Sequence, residues 1–516
     1  MSGFVSIVGA GPWDPELLTL AGRERLRRAD VVIADYLVNP AHLMHCRADA
    51  TIHQRVAGPH DGRLDQARVN ALMVEEANAG RRVVRLKGGD PMIFGRGSEE
   101  ADHLRAHGVA YELVPGVSAA IAAPEAAGIP LTHRDHTPAV SIVSGFEAFE
   151  KGGLHVAWDH LAKSAGTIVL MMSVKNCRQN AERLIAGGRD PETPAALIRW
   201  GTRGIMRTLV ATLSTIADRA DEVGLRAPAV LVVGTVVELR ERIEWFERRP
   251  LFGRRIVVTR ASHQAGELIQ RLAAEGADAV AFPCLAIAPP EDPEALRSTV
   301  AAIADFNGVI LSSPNGVNAF FDALAAAGLD ARALADRKVA VIGTGTAGAC
   351  EARGIRPDII PAQPRAEGLI AELAARELLC DRWLHVRADE GRDLLGPAIA
   401  EAGGSYQLVI GYRTIRPAVP ELLVRSLRAP ADGGEGIDAI TFASGKSARH
   451  LLETLREHLG DDEARAIIDR AKVIALGPVT AAAARALDLR VDAIADATTD
   501  EAMVAAILGV FGAAAS

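Results

Sequence analysis

The chain has 516 residues, of which 49% are apolar, 24% charged and only 4% aromatic. That length exceeds one ordinary domain and that composition is soluble and globular. The formal net charge of −8 argues against nucleic acid as the main partner, although the plentiful arginines can still line pockets for an anionic substrate. No apolar run approaches the ~18 residues of a membrane span, and no charged stretch leads into an apolar signal core, so a cytoplasmic protein is expected.

The first element is "VSIVGAGPWDPELLTLAG", an apolar strand running into a glycine turn and then a helix read from Glu16. Pro12 falls at the expected helix start, where a missing N–H costs nothing. The loop is GxGP rather than GxGxxG, and Asp14 holds the place of the third glycine. A carboxylate there repels a pyrophosphate at a helix N-terminus, so a dinucleotide is disfavoured and a cofactor without phosphates is not. A plain tight turn explains the loop about as well.

The strands "ADVVIAD", "RRVVRLKGGD", "YELVPG", "AVSIVSG", "GTIVLMMSV", "PAALIRWGT" and "PAVLVVGTVV" follow, separated by amphipathic helices. This is an α/β pattern, expected to build a largely parallel sheet. In "VVRLKGGDPMIFGRG" the glycines lie at the carboxyl end of a buried strand, where open α/β sheets bind ligands. Gly88 and Gly89 let a ligand lie against the backbone, and Asp90 can accept hydrogen bonds from hydroxyls or an amine. In "LVPGVSAA", Ser118 can cap the next helix, whose small residues permit a flat ligand to approach; packing against the sheet accounts for them equally well. A charged helix, "ELRERIEWFERR", leads to a junction at residues 246–253.

The second half contains an internal repeat. "RRIVVTRASHQAGELIQRLAAEGADAVAFPCLAIAP" answers "DRWLHVRADEGRDLLGPAIAEAGGSYQLVIGYRTIRP", so Arg260 matches Arg387 and Pro289 matches Pro417. "GVILSSPNGVNAFF" answers "DAITFASGKSARHLL", so Ser313 matches Ser444. "KVAVIGTGTAGAC" answers "KVIALGPVTAAAA", so Gly343 matches Gly477 and Thr346 matches Thr480. Two similar α/β lobes are expected, with connectors near residues 281–290 and 407–417. A doubly connected pair makes a cleft suited to a ligand; duplication that only enlarges the fold is the other account. "RAPADGGEGID", from Arg428, reads as a surface loop. The five cysteines form no CxxC pair and the fourteen histidines no HExxH motif, so no disulfide framework and no metal site are expected.

Taken in order, "VGAGPWDPELLTLAG", "ADVVIADYLVNP", "VVRLKGGDPMIFGRG", "VPGVSAA", "GIPLTHRDH" and "PAVLVVG" resemble uroporphyrinogen-III C-methyltransferase, of the tetrapyrrole methylase family. The resemblance covers residues 1–245. It implies a two-lobed α/β tetrapyrrole methylase fold, a homodimer through this half, and S-adenosylmethionine bent between the lobes, leaving as S-adenosylhomocysteine. By position it puts that cofactor against Pro12, Gly88, Gly89, Asp90, Ile93, Ser118, Ala119, Met172 and Gly201. It implies two methyl transfers to uroporphyrinogen III, giving precorrin-2, with Asp35 as the base. Two positions depart from the family pattern. Tyr36 stands where an arginine is common, and Ala57 where an ungapped count puts a proton-donor lysine; Arg55 and His60 are the nearby residues able to replace its charge. Methylation is expected to survive, because the cofactor motifs are intact; a synthase whose methylase half is impaired or altered in substrate is the alternative.

"LSSPNGVNAFF", "VIGTGTA", "RAEGLIAEL", "YRT", "FASGKSARHLL" and "ALGPVTAAAARAL" resemble uroporphyrinogen-III synthase, over residues 253–516 after a linker at 246–252. Its duplicated two-lobed fold requires the repeat seen here. The resemblance implies cyclisation of hydroxymethylbilane with inversion of the last ring and loss of water. Tyr412 matches a tyrosine assisting departure of the hydroxyl. Arg260, Ser313, Asn315, Thr346, Arg387, Ser444 and Thr480 are candidates to hold the substrate's carboxylates; helix caps and surface arginines are their plain alternatives. The expected partners are small tetrapyrroles, with no nucleic acid and no membrane, on a route toward sirohaem or cobalamin.

Overall fold

The computed structural model describes residues 3–512 except 48, 55–64, 147–155, 165, 392, 420–422, 425–426 and 429–435. Ala57, Arg55, His60 and most of the stretch after Arg428 therefore lie outside the described residues.

The first strands are β1 (Phe4–Gly9), β2 (Val31–Ala34), β3 (Thr51–Gln54), β4 (Arg82–Lys87) and β5 (Tyr111–Val114). They form one sheet in the order β3-β2-β4-β1-β5, every pair parallel. Runs such as "VVIA" suit this because a parallel sheet is covered on both faces. Alternation sends Val5, Ile7 and Val83 against helix Gln66–Asn78, while Val8, Val84 and Leu86 meet Leu26 of helix Leu20–Arg28.

The second sheet holds β6 (Val140–Ser144), β7 (Thr167–Met171), β8 (Pro194–Arg199), β9 (Arg207–Thr212) and β10 (Ala229–Val233), in the order β6-β7-β10-β8-β9. Only β6 and β7 run parallel; the other pairs are antiparallel. The largely parallel pattern expected from sequence therefore describes the first sheet and not the second. Only residues 200–206 join β8 to β9. That is too short for a parallel crossover, which needs a dozen residues or more, so the chain returns as a hairpin.

The charged stretch expected as one helix is broken into 3-10 turns at Thr235–Leu239 and Phe246–Arg248, with one helical turn at Arg240–Ile243 between them. Phe246 is buried in the core of the second sheet and Leu251 in that of the next. Each such side chain contributes about 1.5–3 kcal/mol by burial, so the junction is packed.

The remaining strands are β11 (Arg255–Val258), β12 (Asp278–Ala281), β13 (Ala286–Ala288), β14 (Gly308–Leu311), β15 (Lys338–Val341), β16 (Arg382–Ala388), β17 (Ser405–Ile415), β18 (Ala439–Phe442), β19 (Lys472–Ala475) and β20 (Ala493–Ile494). They form two sheets, β12-β11-β18-β19-β20 and β13-β17-β16-β14-β15, parallel except where β13 meets β17. The repeat is visible in this order: β12-β11-β18-β19 corresponds to β17-β16-β14-β15. The chain divides into two compact units, residues 1–283 with 419–516, and residues 284–418. The first three sheets belong to the former and the fourth to the latter. Among the described residues, no helix is long and apolar enough to cross a membrane.

Candidate functional site

The loops that leave β1, β4 and β5 meet through glycine. Gly11 and Gly89 form a bridge, with N–H to O distances of 3.2 and 2.9 Å. A methyl group added at Gly9 would lie 2.6 Å from the Gly116 Cα, and one at Gly116 would lie 2.4 Å from the Gly89 carbonyl oxygen. Only glycine permits this approach. Asp90 closes the cluster: its Oδ2 accepts from Gly116 N–H at 3.0 Å and its Oδ1 from Met92 N–H at 2.7 Å. Ser118 caps helix Ala119–Ala126 by accepting from Ala120 N–H at 3.2 Å. The Ala119 nitrogen lies 3.7 Å from where a Gly89 Cβ would stand.

The loop after β8 joins them. A Cβ on Gly201 would fall 2.3 Å from the Ala123 Cβ, and the Thr202 hydroxyl donates to the Pro12 carbonyl. The fold thus brings together Pro12, Gly88, Gly89, Asp90, Ser118, Ala119 and Gly201. Ile93 and Met172 contribute partly exposed apolar side chains on the loops after β4 and β7. This set carries no lysine or arginine. It offers backbone groups, one carboxylate and apolar surface, which suits a nucleoside that bears no phosphate.

Two details of the first loop differ from the sequence reading. Pro12 lies in the loop and not at a helix start; the first turn is the 3-10 segment Pro15–Leu17, and the helix begins at Leu20. Asp14 caps that turn, accepting from Glu16 N–H at 3.0 Å, and burial raises its carboxyl pKa. The local fold accounts for Asp14, because a short carboxylate there satisfies an open N–H.

Asp35 lies just past the end of β2, with its side chain 20% exposed, beside a network that sequence reading missed. Arg85 Nη2 donates to Asp35 Oδ1 at 2.6 Å and Arg85 Nε to Glu100 Oε1 at 3.0 Å. Lys87 Nζ donates to Glu100 Oε1 at 3.0 Å and lies 3.9 Å from Asp35 Oδ2. Arg85, Lys87 and Glu100 are buried. Burial and then the Arg85 charge lower the Lys87 pKa; Glu100 and Asp35 oppose them. The available signal was the spacing of Arg85 and Lys87 in a strand whose other residues after Arg82 are apolar: residues two apart share a face, and buried charges need partners.

In the fourth sheet, Ser313 caps helix Pro314–Ala326 through Gly316 N–H at 3.0 Å, and its Oγ lies 2.9 Å from Tyr412 Oη. Asn315 is in the first turn of that helix and Thr346 in the first turn of helix Thr344–Ala352. Arg387, at the end of β16, donates to the carbonyls of Gly391 at 2.6 Å and Ala388 at 3.1 Å. In the third sheet the equivalents occupy the same carboxyl edge. Arg260 follows β11 and is paired with Asp500. Ser444 forms a capping box with Ser447 after β18. Thr480, in helix Pro478–Arg485, lies 3.4 Å from the Ala443 carbonyl oxygen.

The family model for Tetrapyrrole (Corrin/Porphyrin) Methylases matches residues 5–217, and that for Uroporphyrinogen-III synthase HemD matches residues 266–505. A porphyrin biosynthesis protein HemD of Ruminiclostridium josui is 37% identical over 388 residues, covering 73% of this chain and 76% of that protein. A uroporphyrinogen-III C-methyltransferase of Bacillus subtilis (strain 168) is 39% identical over 334 residues, 64% of this chain and 68% of its own. An S-adenosyl-L-methionine-dependent uroporphyrinogen III methyltransferase of Methanosarcina barkeri is 46% identical over 241 residues, 46% of this chain and 94% of its own. With both models matched in succession and a relative aligned over most of its length, the chain belongs to the porphyrin-biosynthesis proteins that fuse a tetrapyrrole methylase to a uroporphyrinogen-III synthase.

Proposed function

We propose that the chain is a bifunctional enzyme of tetrapyrrole biosynthesis. Residues 253–516 cyclise hydroxymethylbilane to uroporphyrinogen III. Residues 1–245 methylate that product twice with S-adenosylmethionine to give precorrin-2, releasing S-adenosylhomocysteine. The observation that carries this reading is the union of the two families in one chain, because the product of one is the substrate of the other.

S-adenosylmethionine supplies the methyl group as an electrophile at its sulfonium. Pro12, Gly88, Gly89, Asp90, Ile93, Ser118, Ala119, Met172 and Gly201 hold it. An electron-rich pyrrole carbon needs alignment more than activation. Asp35 takes the proton that the methylated ring loses, and Arg85 and Lys87 orient its carboxylate. In the synthase half Tyr412, oriented by Ser313, donates a hydrogen bond to the departing hydroxyl; the electron pair of the substrate's own pyrrole nitrogen breaks the C–O bond, and the proton that this nitrogen loses completes the water that leaves. Asn315, Thr346, Ser444 and Thr480, with Arg260 and Arg387, receive the substrate's carboxylates, and Ser313 gives its one proton to Tyr412 until the tyrosine turns; the two arginines then share themselves with Asp500 and Gly391. The resemblance further supports a cytoplasmic homodimer formed through the methylase half, serving sirohaem or cobalamin synthesis.

Incubation of the purified chain with hydroxymethylbilane and methyl-labelled S-adenosylmethionine is expected to give labelled precorrin-2. Unlabelled uroporphyrinogen III alone would leave only the synthase activity standing, and no product at all would reduce the chain to a binder. Asp35→Asn is expected to lower methyl transfer by roughly 10²–10⁴ while cyclisation continues.

A further inference from the structure

The loops that carry Pro12 and Gly201 are held from the other half of the chain. Arg203 is buried, with its guanidinium 3.9 Å from the ring centroid of Trp13 and 4.4 Å from that of Trp200. Its Nε and Nη2 donate to Oδ1 and Oδ2 of Asp278 at 3.0 and 2.9 Å. Asp278 opens β12, the edge strand of the third sheet, and is 1% exposed. Arg255 Nε stands 3.3 Å from its Oδ2. The backbones also abut: a Cβ on Gly204 would lie 2.2 Å from the Asp278 nitrogen, and Gly253 N–H donates to the Gly204 carbonyl at 2.7 Å. All these residues belong to one compact unit.

Trp13, Trp200 and Thr202 have φ values of 76°, 52° and 70°. Side chains with a Cβ hold such conformations only where their surroundings over-determine them. A two-point guanidinium–carboxylate pair fixes the place and direction of the guanidinium, and its charge over the faces of two indoles that lie 64° to one another holds both rings in turn. The Thr202 hydroxyl then ties the second loop to the Pro12 carbonyl.

We propose that Asp278 is a positioning residue for the cofactor loops. Through Arg203 it holds the Trp13 and Trp200 loops in shape, so the cofactor affinity of the methylase half depends on a carboxylate of the synthase half. This rests on the cofactor reading above.

The test uses the full chain with Asp278→Asn and with Arg203→Lys, which keeps the buried positive charge but loses the two-point pair and the stack. Isothermal titration with S-adenosylhomocysteine is expected to show binding about tenfold weaker in each. The KM for S-adenosylmethionine should rise while kcat changes much less. Without any cofactor, amides of residues 10–14 and 200–206 should exchange faster with deuterium than in the parent chain. Retained hydroxymethylbilane cyclisation shows that the third sheet is folded. Unchanged affinity and unchanged exchange in Arg203→Lys would overturn the proposal. A parent chain that fails to bind S-adenosylhomocysteine would instead overturn the cofactor reading, and the exchange comparison would still decide whether Asp278 holds the loops.

Discussion

The Tyr412 phenol and the Ser313 hydroxyl share one hydrogen bond at 2.9 Å, and Ser313 is itself fixed as a helix cap. Tyr412→Phe removes that bond, worth about 1 kcal/mol of stability, together with the donor proposed to assist the leaving hydroxyl. We expect slower formation of uroporphyrinogen III by a folded protein; an unchanged rate would remove Tyr412 from the mechanism. A second residue-scale effect concerns pH. His385 Nδ1 lies 2.7 Å from Tyr406 Oη, which donates to Asp393 Oδ1 at 3.0 Å, so the ring donates through Nδ1. Burial, then the Arg387 charge, pushes its pKa down from 6.5 to about 4. The unfolded chain thus takes up this proton first as pH falls. The stability tied to the neutral ring is present above pH 6.5 and is lost toward pH 4, about 3 kcal/mol in all. Denaturant unfolding should show a smaller loss over that window in His385→Gln. The loss will not vanish, because buried His42 is lowered in the same direction. Tyr412 became a candidate in sequence because the resemblance supplied its position. The Arg85–Glu100 and Arg203–Asp278 pairs were not, because nothing in the sequence says which buried charges meet.

At the scale of elements, β1, β4 and β5 are parallel neighbours, so their glycine loops emerge on one edge and must cross. Sequence reading found those loops from glycine spacing and strand ends. It missed β9, whose residues read without a clean apolar run, and with it the antiparallel hairpin that sets the second sheet. The crowding gives a prediction. Gly116→Ala puts a methyl 2.4 Å from the Gly89 carbonyl oxygen, where the neighbour is backbone and cannot swing aside. Overpacking of this kind costs about 1–3 kcal/mol. We expect S-adenosylhomocysteine binding to be lost in titration while cyclisation continues; full binding would show that the loops can separate without consequence.

For the whole molecule, the order of the two halves and the repeat within the second were readable from sequence. The partition into compact units was not, because it cuts through the second half and leaves residues 253–283 and 419–516 with the first. Spatial neighbours so far apart in the chain leave no local signal. Since the third sheet shares a unit with the methylase fold, a ligand of one is expected to protect the other. S-adenosylhomocysteine at a hundred times its Kd adds about 2.7 kcal/mol to the unit it binds. It should therefore raise the temperature at which cyclisation activity is lost in a heat-inactivation series, although it takes no part in that reaction. An unmoved curve, with the amides of the third sheet no better protected from deuterium exchange by the ligand, would show that the methylase fold and the third sheet unfold independently. The same division orders events during synthesis on the ribosome. Residues 284–418 are contiguous, so every strand of the fourth sheet has emerged before residue 419. The strand beside β11 is β18, which begins only at Ala439, so β11 waits with one edge open until nearly the whole chain has been made. A nascent chain interrupted before that point keeps the Asp278 carboxylate but presents an unpaired strand edge, which marks it for aggregation or proteolysis.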